Sequence, residues 1–239
     1  MEQMDVVLKL LRYSQLITKL TECNLEKGDQ FEIQDVEYEV IERVDNRWTS
    51  ATCWAVKKHN TDKTVVVFKS TKEIFDFFVD ALAFRVRFKH SDHKIKAHAG
   101  FVMAYSSIRK KVNKIIKQSI NNGEKITFLG HSLGGAMATL ALLDFEKHFP
   151  DSPLSAYTIG SPRVLSKKSA RIVEDIVDYS TRGWNKKDPI TGIPPKWFGY
   201  THVGDSYRME PWCGATKGLF RYHMMKPYIE MFERGIVNE

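Results

Sequence analysis

Residues 125–143 read KITFLGHSLGGAMATLALL, and this stretch constrains the fold more than any other. KITFLG is a short apolar run that suits a buried strand, and GAMATLALLDFEKHF is an Ala/Leu-rich run at helical period. Only a few residues, glycines among them, lie between the two. A chain that passes so quickly from buried strand to buried helix needs further strands beside the first and further helices beside the second.

The rest of the chain supplies them. VVLKLLRYSQLITKL has apolar residues at helical spacing, Val6, Leu10 and Ile17 among them, and reads as an amphipathic helix. FEIQDVEYEVIERV alternates and reads as a strand. ATCWAVKKHNTDKTVVVFKS reads as two strands around an Asn60-Thr61-Asp62 turn, with Thr64 to Phe68 buried on both faces. KEIFDFFVDALAF has helical period, RVRFKHSDHKIKAHAG looks extended, and GFVMAYSSIRKKVNKIIKQSI is a helix stopped by Asn121-Asn122-Gly123. SAYTIG is a strand, ARIVEDIVDYSTRG holds a helix and a strand, and HMMKPYIEMFERG closes as a helix. Strands alternating with helices predict an α/β fold with a mostly parallel sheet. No linker or repeat divides the 239 residues, so one domain over 1–239 is expected.

Composition narrows the function. No apolar run is long enough to span a bilayer. Asp5, Lys9 and Arg12 interrupt the first residues before a leader-type apolar core can form. Cys23, Cys53 and Cys213 are odd in number and scattered, which gives neither a disulfide framework nor zinc spacing. A reducing compartment, the cytoplasm, is the resulting expectation. The net charge of +7 favours an anionic partner such as an acidic lipid surface. Nucleic acid is not expected, because no Arg-rich helix or aromatic RNA-binding motif is present. No cofactor is expected, and no metal: His90, Asp92 and His93 have no third convergent ligand.

Gly130-His131-Ser132-Leu133-Gly134 fits G-x-S-x-G. A serine on a sharp strand-to-helix turn can be exposed to attack a carbonyl only if small residues flank it. The helix start then offers backbone N–H groups where negative charge develops, with Leu133 N–H the first candidate. GHSLGGAMATLALL resembles the corresponding turn of class 3 (fungal-type) lipases, within the α/β-hydrolase superfamily. Other segments resemble that family in its order: VVVFKSTKEIFDFFVDAL, AHAGFVMAY, YTIGSPRV, NKKDPITGIPP and YHMMKPYI.

That resemblance implies an α/β-hydrolase fold, a helical lid over about residues 72–83, and a serine hydrolase acting on lipid esters. The substrate class would be triacylglycerols or related acylglycerols. A phospholipase A1 and an inactive membrane-binding relative are the alternatives, and a lipid interface or anionic membrane surface is the expected transient partner. A serine hydroxyl needs a histidine base and a carboxylate to orient it. Of Asp151, Asp175, Asp178, Asp188 and Asp205, Asp188 lies in a loop with Pro189 and matches the family's acid. Of His148, His202 and His223, the last matches the family's base, and His202 is the competitor. His131 cannot serve Ser132 and is read as packing behind the turn. Thr71 matches the family's second oxyanion donor, although Lys69-Ser70 replaces its Arg-Gly and Ser70 could take that role. In residues 72–83, Ile74, Phe75, Phe77, Phe78, Val79, Ala81 and Leu82 span one broad arc. The basic stretch Arg85 to His98 follows it, either holding the site mouth against anionic lipid or forming a solvated face.

Overall fold

The computed structural model describes residues 2–69, 84–91, 93–149, 152, 154–176, 180–209, 218 and 220–235. The expected lid, Ser70, Thr71, Asp92, Asp151, Asp178 and Cys213 lie outside these residues.

Helix α1 (Glu2–Glu22) is followed by strands β1 (Gln30–Ile33), β2 (Val36–Asn46), β3 (Ala51–Lys58) and β4 (Lys63–Phe68). Then come β5 (Arg85–Arg87), β6 (Lys96–His98), α2 (Ala99–Asn121), β7 (Lys125–His131) and α3 (Leu133–His148). Strands β8 (Leu154–Ile159) and β9 (Leu165–Ser166), helix α4 (Lys167–Ile176) and β10 (Ser180–Asn185) follow. Strands β11 (Tyr200–Thr201) and β12 (Asp205–Met209) precede the closing helix α5 (Met225–Glu233). The main sheet has eight strands in the order β1-β2-β3-β4-β7-β8-β10-β12. β4, β7, β8, β10 and β12 run parallel, and β1 to β3 add an antiparallel wing. With helices on both faces, this is the α/β-hydrolase fold. A small antiparallel sheet, β11-β9-β6-β5, holds the expected extended stretch after residue 84 as a hairpin.

Two details differ from the sequence reading. FEIQDVEYEVIERV is not one strand but the hairpin β1–β2. Gln34 and Asp35 take φ values of 50° and 58°, the two left-handed steps that a tight hairpin turn requires. The polar segment DSYRM forms β12 although no apolar pattern marks it. It lies at the sheet edge beside β10, where backbone pairing suffices.

Alternation along the central strands feeds two apolar layers. Val66 and Phe68 of β4 join Ile126 and Phe128 of β7 on the side covered by α2, α3 and α4. Val65 and Val67 join Leu129 on the other side, under Leu10, Leu16 and Leu20 of α1 and Phe232 of α5. The unbroken β-branched run Thr64–Phe68 is therefore the signature of burial on both faces, at roughly 1.5–3 kcal/mol per fully buried large side chain.

One buried charge ties α2 to α3. Asp144 is fully buried: its Oδ2 accepts from Tyr105 Oη at 2.7 Å and from Arg109 Nε, and its Oδ1 accepts from Arg109 Nη2 at 2.8 Å. Burial and the adjacent carboxylate push the Tyr105 phenol well above its ordinary pKa, so it stays a donor. Asp144→Ala removes the acceptor and leaves both donors behind. It should lower stability by about 3–5 kcal/mol, seen as a lower urea midpoint, with a smaller loss for Asp144→Asn.

Candidate active site

Strand β7 delivers Ser132 and α3 carries the chain away. Ser132 has φ 59° and ψ −125°, a conformation that costs a non-glycine residue about 1–3 kcal/mol. Close packing holds it there. A Cβ on Gly130 would lie 2.1 Å from the Gly134 carbonyl carbon, and one on Gly134 would lie 2.1 Å from the Phe68 carbonyl oxygen. Both contacts are backbone and cannot give way. The elbow is thus pressed against the end of β4, the point from which the expected oxyanion loop departs. Leu133 is the first residue of α3, where leading amides have no acceptor within the helix.

The chain then returns twice to Ser132. After β10, the Asp188 loop is shaped by Asn185 Oδ1, which accepts from Lys187 N at 2.9 Å, and by Asp188 Oδ1, which accepts from Ile190 N at 2.9 Å. Ahead of α5, a 3-10 turn (Arg221–His223) presents His223. His223 Nδ1 lies 2.8 Å from Asp188 Oδ2, and His223 Nε2 lies 2.6 Å from Ser132 Oγ. A carboxylate only accepts, so Nδ1 carries the proton and Nε2 is free to take the serine's. Ser132 is 0% exposed, Asp188 3% and His223 4%, so this relay is shielded from water.

Two further residues support the relay, Tyr228, which sequence reasoning left out, and His131, which it read as packing. Tyr228 Oη donates to Asp188 Oδ2 at 2.7 Å and accepts from Asn185 N at 3.2 Å. Asp188 Oδ2 therefore faces two donors, Tyr228 and His223. His131 is not only packing: its Nε2–H donates to the His223 carbonyl at 2.7 Å, and its ring stacks on that of His223 at 4.6 Å. The signal for Tyr228 was faint, a tyrosine five residues beyond the histidine. His131 was visible in the motif but its partner is 92 residues away.

The competitors fall elsewhere. His202 Nε2 donates to the Thr191 carbonyl at 2.9 Å, so it braces the loop after Asp188 rather than touching Ser132. His148 lies 3.8 Å from Asp144 at the end of α3. Asp175 is exposed on α4, and Asp205 is exposed at the start of β12. Lys69, which stands where the resemblance puts an arginine, pairs its N–H with the Thr52 carbonyl at 2.9 Å.

The family model for class 3 lipases matches residues 65–198, more than half of the chain. The chain belongs to the class 3 lipase family. The matched span includes Ser132 and Asp188 and ends before His223. A lipase from Rhizopus niveus is 32% identical over 159 residues, 62% of this chain and 39% of that enzyme. A secreted mono- and diacylglycerol lipase from Penicillium cyclopium is 27% identical over 170 residues, 68% of this chain and 53% of that enzyme. A solved triacylglycerol lipase with a serine-protease-type triad is 23% identical with a TM-score of 0.72, covering 84% of this chain and 79% of that one. At that identity the likeness carries the fold. The chain spans about two fifths to half the length of these two relatives. The secreted Penicillium enzyme corrects the cytoplasmic expectation. Scattered cysteines and a polar N-terminal segment were weak grounds for it. Residues 2–22 are a helix of the lipase fold with Leu10, Leu16 and Leu20 buried, so they do not report the compartment.

Burial makes the fold around this site sensitive to acid. Desolvation pushes His131 down to about 3, helped by the neighbouring His223. Desolvation pushes His202 down to about 3 as well, with Arg182 adding to it. In the unfolded chain each ionises near 6.5. Between those values the unfolded chain binds protons that the folded one refuses, so stability falls as pH falls through 6 toward 4. The limiting slope is about 1.4 kcal/mol per pH unit for each histidine. Urea titrations at several pH values should show this, and His202→Gln should make the slope shallower.

Proposed function

We propose that this chain hydrolyses carboxylic esters of lipids, acylglycerols in particular, through an acyl-enzyme on Ser132. Ser132 Oγ attacks the ester carbonyl while His223 Nε2 takes its proton. Asp188 holds the Nδ1–H of His223 and offsets the imidazolium charge. Leu133 N–H donates to the oxygen that becomes negative, and Thr71 is the proposed second donor on the strength of the sequence resemblance. His223 then returns the proton to the departing alcohol. Water, deprotonated by the same nitrogen, releases the acid and restores Ser132.

The observation that carries this reading is the pair of short contacts, 2.6 Å and 2.8 Å, joining a strained serine, a histidine and a buried aspartate. An inactive binding protein has no use for a serine held at φ 59°. The full burial of Ser132 supports a site that a lipid ester reaches only when part of its cover moves. We propose one domain over 1–239, with residues 72–83 as that cover on the ground of their apolar arc.

Ser132→Ala should reduce hydrolysis of a soluble short-chain ester by about 10⁵–10⁶, with an unchanged melting temperature. His223→Ala should match it, whereas His202→Ala should lose stability and keep turnover. An active enzyme whose Ser132 resists a serine-directed phosphonate would overturn the mechanism. Tyr228→Phe removes a hydrogen bond to a carboxylate, worth about 1.5–3 kcal/mol. A fall in kcat of about tenfold or more, with KM held, is the outcome expected in steady-state kinetics.

A further inference from the structure

Among the described residues, the three large apolar side chains most exposed to water are Trp48, Trp197 and Phe84. Trp48, at the tip of the β2–β3 hairpin, is 97% exposed, Trp197 is 83% exposed and Phe84 is 73% exposed. The pairing of the strands places the first. Cys53 of β3 pairs with Phe68 of β4, and Phe68 pairs with Gly130 of β7, so the hairpin tip lies at the same end of the sheet as the elbow. β3 is two strands from β7 on one side. β10, whose following loop carries Trp197, is two strands away on the other. At about 4.8 Å per strand, each lies roughly 10 Å across the sheet from the serine's strand.

Neither tryptophan is on a loose tip. Asn46 Oδ1 accepts from Trp48 N at 2.9 Å and Thr49 N at 3.1 Å. Asn46 Nδ2 donates to the Ser107 carbonyl of α2 at 3.1 Å, and Thr49 Oγ1 lies 2.7 Å from Ser107 Oγ. The hairpin is therefore pinned to α2 while its indole projects into water. Trp197 sits in a 3-10 turn (Lys196–Phe198) that is held by Lys167 N donating to the Gly199 carbonyl at 3.0 Å. Arg85 stacks over Tyr200 with its guanidinium carbon 5.7 Å from the ring, which joins the strand after Phe84 to this turn.

Each of these rings has an exposed cation next to it in the chain, and the nearest exposed acid to Trp48 in sequence is Asp45, which pairs with Arg43. Arg47 precedes Trp48, Lys196 precedes Trp197 and Arg85 follows Phe84, all three exposed. Residues 46–51, 84–91 and 190–199 contain no Asp or Glu. Exposed indole rings beside cations match the boundary layer of an anionic bilayer, where the ring enters the headgroups and the cation meets phosphate.

We propose that Trp48 and Trp197, with Arg47, Lys196 and the Phe84–Arg85 pair, form a two-sided anchor for an anionic lipid surface. This anchor seats the Ser132 site on that surface without the help of residues 72–83. It rests on the lipid-ester reading above and adds to it the surface, its charge and the residues that hold it.

The full chain carrying Ser132→Ala, which cannot digest the lipid, is cosedimented with phosphatidylcholine vesicles with and without phosphatidylglycerol. Trp48→Ala and Trp197→Ala should each weaken binding about tenfold. Arg47→Gln and Lys196→Gln should each weaken it about fivefold, at roughly 1 kcal/mol per cation. The cation effect should vanish in high salt and on vesicles without phosphatidylglycerol. With Ser132 restored, the tryptophan variants should hydrolyse a soluble short-chain ester at rates within about twofold of the parent, because neither indole touches the site. Unchanged vesicle binding in the Trp48→Ala/Trp197→Ala double variant overturns the anchor. So does a joint fall of binding, soluble-ester hydrolysis and melting temperature, which marks a folding role. A concentration-dependent dimer that Trp48→Ala abolishes also overturns it, since the face then meets a second copy. Failure of the parent to cleave any ester sinks the hydrolase reading alone, and the vesicle assay still judges the anchor.

Discussion

The close approach of Gly134 to the Phe68 carbonyl holds the site together. Strand β7, helix α3 and strand β4 meet there with no side chain between them, which fixes Ser132 at a left-handed φ. A strained backbone persists only where its surroundings over-determine it, and here three elements do so at once. The same contact brings the backbone of Lys69 beside the first turn of α3.

The second dependence is electrostatic. Asp188 is a buried carboxylate, which is tolerable because His223, Tyr228 and the Ile190 amide all donate to it. Asp144, near the C-terminal end of α3, follows the same rule with Tyr105 and Arg109. Burial also keeps His131 and His202 neutral, so each acts as a fixed donor to a carbonyl. Their cost is acid sensitivity, and their benefit is a loop and a turn that do not shift when the solvent pH changes modestly.

Much of this was legible in the linear chain because it depends on neighbours. The run Thr64–Phe68 is apolar without alternation because both of its faces are covered. The elbow announces itself because a strained serine needs glycines at fixed offsets. Asp188 stood out because a loop with a proline is where a fixed carboxylate can be mounted. The β1–β2 hairpin was missed because Gln34 and Asp35 adopt left-handed angles without a glycine to signal them. β12 was missed because an edge strand of five polar and mixed residues gains its order from β10 and carries no pattern of its own.

The sequence alone therefore determined the α/β class, the serine, and an ordered set of candidate acids and bases, since local period, turn chemistry and spacing are properties of adjacent residues. The resemblance favoured His223 over His202, and only the tertiary structure shows which of the two reaches Ser132. The two differ by the carbonyl or serine that each nitrogen reaches, and those partners are set by how β10, β11 and α5 return to the sheet. It also turned His131 from a packing residue into a support of the relay, and it brought Tyr228, unmarked in the sequence, to the same carboxylate. Those relations span 40 to 92 residues of chain for the supports. Hydrogen bonds over such separations are fixed by strand order and register, which no local pattern encodes.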